Sequence, residues 1–249
     1  MGRKYKWREG LLFNDMESDT SESGYRVYHT PEGEATSVTT ILSELPNPTI
    51  EAWRKRVGDE EANRISKEAT DIGSFMHDTL ECILKEQTPP GPSNELEEMA
   101  WKMSKPIKML GLQNVTELWG VEEALHFGDV YAGRSDIIGQ YKNTPSIMDF
   151  KTSKRRKPDE YLHHYKLQLS AYALAFEDMF GEPINQGVLF IAIRPNEYNK
   201  FSTLQLEVFE DLTEYKKEWV EVVVDFCERG GIIEEKVESL SRLCDLAKL

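Results

Sequence analysis

The sequence predicts an α/β chain with a mixed central β-sheet, flanking helices and a helical extension in front, and three features of its periodicity carry that prediction. Between Asp59 and Lys85, residues Ile65, Ala69, Ile72, Met76, Leu80 and Ile83 recur at three- and four-residue steps, the spacing of a long helix with one buried stripe. Around residues 119–127, 130–142 and 146–152 the pattern changes to alternation and short apolar runs, the period of strands. A helical stretch, 159–180, then precedes further strands at 187–194 and 202–209, so the order runs helix, three strands, helix, strand.

Each element has a local reason. Residues 1–36 read as a small hairpin appendage, with strand-like "LLF" and "YRVYH" on either side of the polar loop "DMESDTSESG" at 15–24. Ser37 precedes "VTTILSEL" as an N-cap, Pro46 and Pro48 end that short helix, and "IEAWRKRV" begins another. "PPGPS" at 89–93 breaks the long helix, and a further helix runs from Asn94 to about Leu110. Helical sequence resumes from Leu212. The chain thus divides into the appendage and one domain over 37–249, with a helical part (37–112), a sheet and helix (113–210) and C-terminal helices (211–249).

Composition bounds the partners. Among 249 residues, 39% are hydrophobic, enough for a substantial core. The formal net charge of -14 repels a polyanion overall, so any contact with nucleic acid rests on a local basic patch. Cys82, Cys227 and Cys244 are an odd, scattered set without a Cys-x-x-Cys, which supports neither a disulfide framework nor a four-thiolate metal or iron–sulfur site. The start "MGRKYKWREG" has no apolar signal region, and "GVLFIAI" at 187–193 is too short to span a bilayer. The expectation is a soluble, cytoplasmic protein (of a host cytoplasm, if a phage encodes it) with no membrane role.

The stretch "SIMDFKTSKRRKPDE", 146–160, concentrates the chemistry. On a strand, Asp149 and Lys151 point the same way, opposite Met148 and Phe150. A surface ion pair is one reading, because Glu214/Lys216 and Glu234/Lys236 repeat the spacing elsewhere. The other reading starts from Asp136, a carboxylate within the apolar run of "YAGRSDIIGQY" that is costly unless paired or metal-bound. Hairpin-linked strands would bring it to Asp149, and two carboxylates beside a lysine suit Mg²⁺ or Mn²⁺ and an attacking water.

Taken in order, "SVTTIL", "GSFMH", "GRSD", "DFKTS" and "QLSAY" resemble the motifs of RecB-type exonucleases in the PD-(D/E)XK nuclease superfamily, nearest the mitochondrial genome maintenance group and its phage relatives. The resemblance covers residues 37–194 and implies a restriction-endonuclease-like core. It implies Asp136, Asp149 and Lys151 as catalytic residues, with His77, Asp136, Asp149 and the Phe150 carbonyl around the cation. Ser135 stands where the motif has its proline, and the cysteines of the iron–sulfur relatives are missing, so no iron–sulfur cluster is expected.

Several neighbours have two readings. His77 lies four residues after Gly73 and four before Glu81 on one helix face, which fits either a ligand or a packed histidine. Glu81 is either a supporting acid at the site or a partner of Lys85. Gln168 and Tyr172 are one turn apart, facing the active strand or buried as structural hydrogen bonders. Lys154, Arg155, Arg156 and Lys157, with Ser153 at their root and Arg134 before Asp136, are phosphate candidates or a solvated loop. Trp53 beside Arg54, Lys55 and Arg56 suits unpaired bases, or is core. The expected function is a Mg²⁺- or Mn²⁺-dependent exonuclease acting on DNA that is single-stranded or has single-stranded ends, alongside replication or recombination proteins. The alternatives are a structure-specific or duplex endonuclease of the same superfamily, and a catalytically silent module that binds nucleic acid.

Overall fold

A computed structural model describes residues 5–21, 24–230 and 236–247. The chain opens with β1 (Lys6–Trp7), β2 (Ser18–Thr20), β3 (Arg26–Thr30) and β4 (Gly33–Ser37). Helices α1 (Val38–Ser43), α2 (Pro48–Val57), α3 (Asp59–Leu84) and α4 (Glu95–Pro106) follow. Pro48 occupies the first position of α2, where its missing N–H costs nothing, and Asn47 Oδ1 accepts the Ile50 N–H at 3.1 Å. Asn94 caps α4 in the same way, through the Glu97 N–H at 3.0 Å. Beyond Pro106 the helix loosens into one π turn, Ile107–Gly111, and a 3₁₀ turn, Leu112–Asn114. Then come β5 (Val115–Phe127), β6 (Tyr131–Tyr141), β7 (Thr144–Ser153), α5 (His163–Phe180), β8 (Gln186–Ile193), β9 (Thr203–Phe209), α6 (Thr213–Gly230) and α7 (Val237–Ala247).

Among the described residues nine strands form one mixed sheet, and its centre, β6, has an unusual edge. One side of β6 is covered along its length by antiparallel β5. The other side is shared. Antiparallel β7 pairs only with residues 137–141, from Ile137↔Met148 to Tyr141↔Thr144, and parallel β4 pairs only at Thr36↔Tyr131 and Ser37↔Ala132. Between them, residues 133–136 of β6 have no strand on that edge among the described residues. Lys142 and Asn143 make the β6–β7 turn with φ of 51° and 65°, the geometry of a two-residue hairpin matched to strand twist.

Helices cover both faces. Ile138, Ile147, Leu189 and Ile191 pack with residues of α1, α5, α6 and α7, while Ile137, Met148, Phe150 and Phe190 pack with α3 and α4. The expected alternation along β7 is therefore present. Of the stripe read on α3, Ile72, Met76 and Leu80 are buried, whereas Ala69 is half-buried and borders the cleft that α3 overhangs. Among the described residues no helix is long and apolar enough to cross a membrane.

The N-terminal segment differs from the hairpin appendage expected over 1–36. β3 and β4 do form a hairpin, but β4 runs on into β6, and β1 pairs in parallel with β5 at Lys6↔Glu117 and Trp7↔Leu118. "LLF" is not a strand; its Phe13 packs edge-on against Phe180 at 5.1 Å. Arg8 adds a two-pronged contact to Glu182, at 2.8 and 2.5 Å, and lies over the Trp119 ring. Five-residue strands cannot bury a core alone, so they take the free edges that the larger sheet offers. Residues 1–4 and 22–23 of that segment lie outside the described part.

Candidate active site

The uncovered stretch of β6 is the floor of a cleft of about 780 Å³ between α3, the sheet and α5. Three carboxylates meet there on one line across three strands. Asp136 and Asp149 stand one register step beyond the last β6–β7 pair, and Glu122 occupies the corresponding position between Val121↔Ile137 and Glu123↔Ser135 of the β5–β6 ladder. Glu122 has φ of 56°, a left-handed conformation that is rare for a residue with a side chain and that interrupts the alternation of β5. Where strands would have exchanged backbone hydrogen bonds, Asp136 Oδ2 accepts the Phe150 N–H at 2.5 Å. In an extended strand the N–H and C=O of one residue leave by the same edge, so the Phe150 carbonyl is directed to the side of Asp136 as well.

From above, α3 lowers His77, whose Nδ1 lies 3.2 Å from Asp136 Oδ1 and 3.9 Å from Glu122 Oε1. Donor atoms of His77, Glu122 and Asp136 all fall within 4.8 Å of one another, close enough to share a cation. Asp149 is held by the Lys151 ammonium. Gly73, one turn before His77, has open space where a Cβ would stand, which leaves the cleft mouth clear along α3.

The electrostatics follow from crowding. Burial and the neighbouring Asp136 push the Glu122 carboxyl up to about 8. Burial opposes charge on His77, but Asp136 outweighs it and lifts the imidazole to about 9. Burial likewise opposes the Asp136 charge, and His77 and Lys151 prevail, holding that carboxyl below its ordinary value. Asp149 is raised to about 6 by burial, against the pull of Lys151, whose own pKa is raised by Asp149. Buried acids with pKa values pushed apart around a histidine and a lysine mark a concentration of charge that a divalent cation would relieve. The donor set, oxygens plus one imidazole, fits Mg²⁺ or Mn²⁺.

Other expected residues fall at varying distance from this centre. Gln168 and Tyr172 line the cleft, with Gln168 Nε2 3.4 Å from the Tyr172 hydroxyl, and that hydroxyl sits where a Cβ on Gly133 would lie 2.8 Å away. The glycine of "GRSD" is thus needed for α5 to reach β6. Glu81 borders the cleft and pairs with Lys85 at 2.7 Å. Arg134 also borders it, but its guanidinium donates to the Glu122 carbonyl at 3.2 Å, to the Met16 carbonyl at 3.2 Å and to Asp15 at 3.0 Å. It therefore braces the left-handed turn at Glu122. Ser153 donates to the Arg155 carbonyl at 2.7 Å and shapes the loop. Lys154, Arg155 and Arg156 are all exposed, and the Lys154 charge is near enough to α3 to help Arg64 and Arg194 hold Glu61 and Glu68 ionised. Lys157 is fastened to β9 by a two-way bond with Gln205, at 2.8 and 2.7 Å. Trp53 is half-buried on α2, away from the carboxylates, and Arg54 is engaged with Asn63 at 2.7 Å and with Asp59.

Two residues were not read from the sequence. Glu122 was hidden in "VEEAL", where consecutive acids on a strand point to opposite faces and only the cross-strand register selects one. Tyr165 had a signal: with Gln168 and Tyr172 it lies on one face of α5, and its ring stands 5.4 Å from the Lys151 ammonium.

Residues 110–244, more than half of the chain, match the family model of the PD-(D/E)XK nuclease superfamily. The chain belongs to that superfamily. Its mixed sheet with flanking helices is the fold of PD-(D/E)XK nucleases, which use divalent metal ions. A curated relative, the mitochondrial genome maintenance exonuclease 1 of Xenopus tropicalis, is 24% identical over 186 residues, 67% of this chain and 50% of the relative. The chain thus spans half the length of that curated relative. A crystal structure of a candidate exonuclease from Eubacterium rectale is similar with a TM-score of 0.47 and 14% identity, covering 85% of this chain and 81% of the other.

Proposed function

We propose that this PD-(D/E)XK protein is a divalent-metal-dependent deoxyribonuclease that removes nucleotides from the ends of single-stranded DNA. The observation that supports it most directly is the line of Glu122, Asp136 and Asp149 across three strands, completed by His77 above and Lys151 beside it. A bound Mg²⁺ or Mn²⁺ supplies Lewis-acid polarisation of the scissile phosphate and a water of lowered pKa.

In this reading Asp136, Glu122 and His77 hold the cation, with Asp149 and the Phe150 carbonyl adding oxygens. Lys151 orients the attacking water and balances charge that develops on the phosphate. Asp149 keeps that ammonium charged and aimed. Gln168 and Tyr172 support the position of the strand from below, and Arg155 and Arg156 meet backbone phosphates leaving the cleft. The exonuclease name of the Xenopus relative favours end-directed cleavage.

End-labelled single-stranded, duplex and circular DNA incubated with Mg²⁺, Mn²⁺ or chelator tests the reading. Metal-dependent shortening of linear single strands, with circles intact and no reaction in chelator, is the expected result. Cleavage of circles would replace exonuclease with endonuclease. Binding of DNA without cleavage in either metal would leave a silent module.

A further inference from the structure

We infer that a second chamber behind Tyr165 receives the unpaired nucleotide adjoining the scissile bond, which makes this chamber a determinant of single-strand selectivity. The inference rests on the nuclease reading above and deepens it. The chamber holds about 660 Å³. One wall is the stretch from Pro46 to Ile50 that leads into α2; the other is formed by Tyr161, in a 3₁₀ turn (Asp159–Tyr161), and by His163, His164 and Tyr165 in the first turn of α5. Tyr165 lines the catalytic cleft as well, so the two volumes meet at its ring.

That doorway carries a lysine toward each chamber. The Lys151 ammonium approaches the Tyr165 ring at 5.4 Å and the Lys157 ammonium at 5.7 Å. A strand passing over the ring would find one cation at the reacting phosphate and another at the next. Lys157 can serve there because its backbone is fixed to Gln205 on β9. The walls suit a flat base. Prolines face a tyrosine that is 48% exposed, and α2 buries none of its residues, so nothing among the described residues fills the space between. His163 is turned to Glu218 at 2.8 Å, and burial and the adjacent His163 keep His164 toward its neutral form, a stacking surface without charge. Aromatic faces beside cations are how proteins hold unpaired bases in a sequence-tolerant way. A protein segment is the rival occupant, and it lacks an explanation for the second lysine at the doorway.

The test uses the full chain with Mg²⁺ or Mn²⁺. Tyr161→Ala/His164→Ala should raise KM for a single-stranded oligonucleotide roughly tenfold, the loss of one base stack, while kcat stays near wild type. Tyr161→Phe, which keeps the ring, should retain the wild-type KM. A 2-aminopurine at the nucleotide adjoining the cleavage point should be quenched on binding to the Asp149→Asn chain and should brighten when Tyr161→Ala/His164→Ala is added. If the double variant misfolds by circular dichroism, Tyr161→Ala alone carries the same KM reading, because its side chain is exposed. Unchanged KM with quenching intact overturns the chamber while leaving the nuclease reading standing. A wild-type chain that cleaves no DNA overturns both.

Discussion

At the scale of single residues, the pair Asp149 and Lys151 is the most exposed to test. Asp149 is buried and the Lys151 ammonium beside it is half-buried, so removing one partner leaves the other charge poorly compensated, at a cost of up to about 3–5 kcal/mol, whereas replacing both removes the penalty. Asp149→Asn and Lys151→Ala should each abolish cleavage and lower the melting temperature, and Asp149→Asn/Lys151→Met should recover most of the stability with no activity. A double variant that melts no higher than the singles would show that the pair is not energetically coupled. Glu122 and His77 make a second prediction. Their pKa values, about 8 and about 9, are raised above ordinary values of 4.5 and 6.5, so both carry protons at neutral pH in the metal-free protein. A cation must displace those protons, and its apparent affinity should climb with pH through about 8 and 9 and then level. The same sign governs the metal-free fold: stability from these groups is complete below their ordinary values and is lost as pH rises through the folded ones. Calorimetry in buffers of different ionisation enthalpy measures the released protons, and Glu122→Gln should release about one fewer. Affinity independent of pH over that range would remove both residues from the ligand set.

At the scale of elements, the loop after β7 sets how DNA would be held. Neutralising Lys154, Arg155, Arg156 and Lys157 together should raise KM and flatten the salt dependence of binding, with about 0.7 lost from the log-log slope for each phosphate contact on a single strand. Saturated turnover should change little, because such contacts act alike on ground and transition states. The four are not equivalent. The Lys154 charge is already partly offset by the field of Glu61 and Glu68 on α3, so Lys154→Ala alone should alter the slope less than Arg155→Ala or Arg156→Ala. An unchanged slope in the quadruple variant would send the DNA to another face. The glycines act at this scale too: Gly133 admits Tyr172 to the floor of the cleft, and Gly73 keeps its rim open.

At the scale of the whole molecule, the site exists because β4 and β7 divide one edge of β6 and leave a gap between them. The N-terminal strands therefore belong to the architecture of the cleft. A chain beginning at Val38 lacks β1 to β4 and the Arg8 contact with Glu182, and should lose its cooperative melting transition in calorimetry. A full-height transition at the original temperature would return residues 1–36 to the status of an appendage. The net charge of -14 acts over the same range, so any DNA-binding surface here is a local positive region in a repelling field, most effective at low salt.

The sequence by itself determined what short-range patterns encode: helix and strand periods, the sheet-forming order, and the spacing that joins His77, Asp136, Asp149 and Lys151 in one set of motifs. Those signals are local, since a side chain's face is set by its own backbone period. Only the tertiary structure decided which strands share the edge of β6, which of Glu122 and Glu123 turns inward, and that Tyr165 joins two chambers. Each of these depends on pairing between residues far apart in the chain. Parallel pairing of β4 with β6 leaves no turn signal, and the left-handed φ of 56° at Glu122 is held by Arg134 and the register of three strands, which no stretch of neighbouring residues specifies.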